Sequence, residues 1–138
     1  MFSFTGINWL AVIVSGAAAM VIGFMWYGPL FGIPWMKANK FTEKDMKKMK
    51  ITPKMAMSLG TINSFVMAVF LALIISALNS GSLVDGILAG LVLWAGIAVT
   101  TRVNSVIFEQ RPLSLFIINA GYDLVTILAM GIILSVWK

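Results

Sequence analysis

The chain has 138 residues, of which 60% are hydrophobic and 11% charged, with a net charge of +5 and neither Cys nor His. So little charge cannot cover the outside of a water-soluble domain, and a mean hydropathy of +0.98 points to the bilayer as solvent. The missing Cys and His exclude thiol catalysis, disulfide chemistry, and His-held haem or zinc. Nothing in the spacing of Asp85, Glu109 and Asp123 suggests a metal or other cofactor.

The first apolar segment runs from about Ile7 to Tyr27. The residues before it carry no Lys or Arg, so the basic start of a cleaved signal peptide is missing and a retained span is expected. Ala11, Ser15, Ala19 and Gly23 stand four residues apart, a small-residue row that lets another helix approach. Leu at Ser15 or Gly23 is expected to cost more than Leu at Val12. After the span comes WYGPLFGIPWMK, Trp26 to Lys37. Pro29 and Pro34 are expected to end the helix, with Gly28 and Gly32 allowing tight turns. Trp26, Tyr27, Pro29 and Trp35 form an interface motif, read as an anchor among the headgroups or as an elbow capping the bundle.

Seven of the ten basic residues follow, between Lys37 and Lys54. Thr42 has the character of a helix cap with Asp45 three residues on, and Met46 and Met49 then share a face. The segment reads as a short amphipathic helix attracted to anionic headgroups, or as an ordinary positive-inside loop. Basic charge confined to one loop is what membrane topology alone produces, so nucleic acid is rejected as a partner.

The second span covers about Met55 to Leu78 and contains Asn63. Asn79 to Ser82 make a tight turn into the third span, about Leu83 to Phe108, with a GxxxG pair at Gly86 and Gly90 and a further Gly96. Glu109, Gln110 and Arg111 turn into the fourth span, about Pro112 to Trp137. Pro112 suits a helix start, and Glu109 before it suits the helix dipole. Turns this short imply antiparallel neighbours. The continuous apolar runs imply helices rather than barrel strands. The expected fold is therefore all-α: one transmembrane domain over residues 1–138, an integral membrane four-helix bundle with a short cytoplasmic amphipathic segment after the first span. The Lys bias places the first and third connections in the cytoplasm and both termini outside. Trp9, Trp35 and Trp137 fall near span ends, where indole rings favour the interface. The small-residue rows serve either packing within the chain or a homo-oligomer interface.

Polar groups inside the last two spans need partners or a task. Asn119, Tyr122 and Asp123 stand at i, i+3 and i+4 on the fourth helix, and are expected to share a face that meets Arg102 and Asn104 on the third. Asn63 is a further candidate. A buried Arg102–Asp123 pair fixing helix register is one reading; Arg102 snorkelling to headgroups, or a neutral Asp123, are others. A polar path for an ion, proton or small solute is the functional alternative. No catalytic residue is assigned, because no nucleophile–base pair is visible.

The Trp26–Lys37 block and the stretch FEQRPLSLFIINAGYDLVTILAMGIIL, Phe108 to Leu134, resemble the small bacterial membrane proteins of the domain of unknown function 1761 family. Gly28 departs from that pattern, where a Ser is expected, and the pattern calls for no charge at Asp123. The resemblance implies a four-span protein of the bacterial inner membrane with unassigned activity. The residues themselves favour a structural role, or one toward partners or lipid. The alternative is an oligomeric transporter or channel, since four short spans leave little room for a path in one monomer.

Overall fold

The computed structural model describes residues 2–48, 50–79 and 81–137. Six helices follow in order: α1 Trp9–Leu30, α2 Gly32–Asn39, α3 Glu43–Lys47, α4 Pro53–Ala77, α5 Leu83–Ile107 and α6 Leu113–Val136. Among the described residues, α1, α4, α5 and α6 are long and apolar enough to cross a membrane, as the four apolar runs imply. The protein is an all-α membrane bundle.

Four of the six helices, α1, α3, α4 and α5, start at a side-chain cap. Asn8 Oδ1 accepts from the backbone N–H groups of Leu10 and Ala11. Thr52 accepts from Met55 N with Pro53 in the first turn, and Ser82 accepts from Asp85 N. Pro112 lies just ahead of α6 in extended conformation, one position earlier than expected. At α3, Thr42 N donates to Asp45 Oδ2 at 2.9 Å and Asp45 N donates to Thr42 Oγ1 at 3.2 Å, closing a capping box. The backbone N–H of Thr42, then its hydroxyl, hold the Asp45 carboxyl below its ordinary range. This contribution to α3 is therefore present at neutral pH and lost as pH falls through the lowered value. The expected shared face of Met46 and Met49 lies outside the described residues.

Pro29 does not end α1. Pro lacks an N–H, and the helix accommodates it by widening into a π turn over Trp26–Leu30, with Phe31 N donating to Trp26 O at 2.7 Å. Pro34 sits in the first turn of α2, where a missing N–H leaves no bond unmade. A second π turn interrupts α5 over Trp94–Ala98.

The centre of the bundle is α6, which packs against α1, α4 and α5; α1 also packs on α4. The core between them holds Ala11, Ala19, Ala68, Leu71, Ile75 and Met130, all buried. The row Ala11, Ser15 and Ala19 is buried as expected, and Gly23 is half-buried. Val12 and Gly16 are buried too, because α1 is sandwiched between two helices rather than one. A Cβ on Gly16 would fall 2.5 Å from the Phe65 ring. Val12 is therefore a poor lipid-facing reference, and exposed Ile13 is the proper one. Ser15→Leu is expected to lower stability by roughly 1 to 3 kcal/mol through overpacking, and Ile13→Leu to change it by less than about 0.5 kcal/mol. Thermal denaturation in mild detergent measures both.

The short connection between α4 and α5 does not make them close neighbours. Among the described residues α5 rests on α6 and makes little contact with α4. An open wedge of about 460 Å³, walled by Ile74, Leu78, Leu88 and Leu93, separates them. Lipid tails supply no hydrophobic drive between helices, so close approach goes where small residues permit it. Gly86 and Gly90 supply that site, facing α6: a Cβ on Gly86 would lie 2.6 Å from Gly131 O. The glycine pair thus serves contact within the chain, while a Cβ on Gly96 would meet nothing within 4 Å.

Candidate functional site: an ion pair in an open cleft

On α5, Trp94 and Arg102 both turn toward α6. In a regular α-helix two residues eight apart lie about 80° apart around the axis. The π turn between them takes up one extra residue and cuts that angle to about 20°. Both side chains therefore reach the same neighbour. Trp94 Nε1 donates to Ala120 O at 2.8 Å. Arg102 Nε donates to Asp123 Oδ2 at 2.7 Å, and its Nη2 donates to Asp123 Oδ1 at 3.0 Å. The two parallel bonds are the bidentate geometry in which guanidinium and carboxylate match best. The Asp123 side chain is 10% exposed and that of Arg102 41%.

The pair stands in the wall of a cleft of about 620 Å³ between α6 and the later half of α5, with Met67 of α4 opposite. Asn119 lines the cleft one turn from Asp123 on α6. Asn39, Glu109 and Arg111 line it at the Lys-rich end of the bundle. Its interior combines paired charge, amide and hydroxyl groups with apolar Leu115, Phe116 and Ile127. Such a lining can hold a small polar molecule or water beside a fixed ion pair.

The remaining sequence candidates divide. Tyr122 does not share the cleft with Asn119 and Asp123; it turns toward α1, where its hydroxyl lies against Gly23. One residue is a turn of about 100°, enough to move it to the next interface. Asn104 is exposed and outside the cleft lining. Two residues beyond Arg102 it lies about 200° round the helix, so the two cannot face α6 together. Asn63 lines a separate groove between α1 and α4.

The aromatic block after the first span is tied to α6 by two hydrogen bonds. Trp26 Nε1 donates to Ile118 O at 2.9 Å, and Tyr27 Oη donates to Asn119 Oδ1 at 2.6 Å. Tyr27 also packs on Tyr122, with centroids 5.1 Å apart, and meets Trp35 edge-on. Trp35 continues to Phe41 at 5.8 Å. Trp26 and Tyr27 thus find partners for their polar tips on α6. Pro29 stays exposed on the wide turn. Sequence reasoning missed Trp94, Gly16 and the Tyr27–Asn119 bond; an indole in mid-span was the one available signal for the first.

Fold and ion pair together define a small four-span helical membrane protein with a charged pair, Arg102–Asp123, between its third and fourth spans. It belongs to the family described as protein of unknown function (DUF1761), which matches residues 10–135. No curated protein and no solved structure matches the chain.

Proposed function

We propose that the protein acts without catalysis, as an inner-membrane component that holds a fixed helical surface for partners and engages anionic lipid through its Lys-rich end. The observation that carries this is the bidentate Arg102–Asp123 pair. It ties the later half of α5 to α6, where α5 has no other extensive helix contact among the described residues. A charged pair kept inside apolar helices is best used to set register and packing. At the same end Lys44, Lys47 and Lys48 are exposed on and beside the short capped helix α3. Each is worth about 1 kcal/mol near an anionic surface.

The test is stability in vesicles with and without phosphatidylglycerol, at low and high salt. The expected result is a higher thermal midpoint with anionic lipid, removed by salt and by Lys44→Glu with Lys47→Glu and Lys48→Glu. A midpoint that ignores lipid charge would sink the lipid part of the reading.

The orientation proposed is Lys-rich connection in the cytoplasm and both termini outside. With no native Cys, single cysteines at Lys47 and Gly81 are expected to react with an impermeant maleimide from opposite sides. Reaction of both from one side would overturn it.

A second reading, passage of a proton or small solute, is favoured by one observation: the cleft reaches Asp123 and Arg102 from the Lys-rich end. In four spans it requires an oligomeric path. Flux into vesicles that Asp123→Asn abolishes, with folding retained, is the result that would move the assignment to transport.

A further inference from the structure

A groove of about 600 Å³ runs between α1 and α4, with Tyr122 of α6 in its lining. We propose that it binds a membrane-soluble molecule with an apolar body and a ring carbonyl, of the quinone class. Asn63 and Tyr122 would hold the carbonyl oxygen.

The size lies within the usual range of small-molecule sites, about 300 to 1,000 Å³. Small residues open it: Ala19 and Gly23 on α1, Ala56 and Gly60 on α4. A Cβ on Gly60 would meet nothing within 4 Å, so the space beside it is free. Phe24, Tyr27 and Tyr122 add aromatic faces and Met20 and Met57 adaptable ones, a lining suited to a flat ring.

The polar groups of the groove divide into used and unused. Ser64 Oγ donates to Gly60 O at 2.9 Å, and the Tyr27 hydroxyl is engaged by Asn119. Asn63 and Tyr122 make no side-chain hydrogen bond among the described residues, and both line the groove. Asn63 is ten residues into α4 and Tyr122 nine residues into α6, each about 14 to 15 Å from the Lys-rich end. That is near the middle of a hydrocarbon core about 30 Å thick. Unsatisfied polar groups at this depth are costly, and an amide exposed there calls for a partner. The ester carbonyls of bilayer lipids stay at the interface, so they do not reach it. A lipophilic molecule carrying its own oxygen does. The amide N–H of Asn63 and the hydroxyl of Tyr122 both donate, which matches one carbonyl acceptor.

This inference does not depend on the proposed role of the ion pair or of the Lys-rich end. The full-length protein in dodecylmaltoside is titrated with a decyl-substituted benzoquinone and, in parallel, with decylbenzene, and the thermal midpoint is followed. A saturable rise with the quinone, at least tenfold more sensitive than with decylbenzene, is expected. Asn63→Leu and Tyr122→Phe should each weaken it about tenfold, and Gly60→Leu, which fills the groove, should remove it. Absence of a saturable rise, equal responses to both probes, or unchanged responses in all three variants would overturn the proposal. So would cross-linked dimers of the unmodified protein that Asn63→Leu abolishes, because Asn63 would then pair with a second copy of the chain.

Discussion

Gly86→Ala is expected to destabilise the bundle while Gly60→Ala stabilises it, although both put a methyl on a glycine of a spanning helix. At Gly86 the new Cβ would lie 2.6 Å from Gly131 O and 3.0 Å from its carbonyl carbon, and backbone cannot swing aside as a side-chain tip can. The reciprocal site has the same character, with a Cβ on Gly131 lying 2.8 Å from Gly86 O. The helices must separate, losing contact along the side of α5 that faces α6. Overpacking of this kind costs roughly 1 to 3 kcal/mol for a methyl and more for Leu. At Gly60 no atom lies within 4 Å, so the substitution brings only the helix preference of Ala, about 0.5 to 1 kcal/mol in its favour. Denaturation midpoints in detergent decide the point. A stabilising Gly86→Ala would show that α5 does not rest on α6 through its glycines.

The second large effect is expected at the ion pair. Arg102→Gln strands a carboxylate that is only 10% exposed, and Asp123→Asn leaves a guanidinium 41% exposed opposite a neutral amide. Breaking a buried pair from one side costs roughly 3 to 5 kcal/mol. Arg102→Gln should approach that range. Asp123→Asn should fall below it, because the partly exposed Arg102 can extend toward the Lys-rich end. The double change should recover a coupling of about 1 to 3 kcal/mol. Simple additivity of the two single changes would show that the observed bonds contribute no coupling.

Much of this molecule was legible in its sequence. Four spans followed from run length and charge content alone, because a membrane demands about twenty apolar residues in a row whatever the contacts. The cap at Thr42 followed from local chemistry, since a capping bond reaches only three residues. The partnership of Arg102 with Asp123 was one open reading among several, suggested by their similar depth.

Other features were decided only by the tertiary structure. The π turn at Trp94–Ala98 brings Arg102 round to α6, and no residue there announces it. Pro29 continues α1 because a wide turn absorbs its missing N–H, a choice tied to the bonds Trp26 and Tyr27 make with α6. Tyr122 was grouped with Asn119 and Asp123 because i, i+3 and i+4 share a helix face, but one face is wide enough to meet two neighbours, and packing decides which side chain meets which. The same limit explains α5: a short turn made it antiparallel to α4, while Gly86 and Gly131 made α6 its neighbour. In lipid, where apolar surface alone attracts no particular partner, close fit between small residues decides which helices touch.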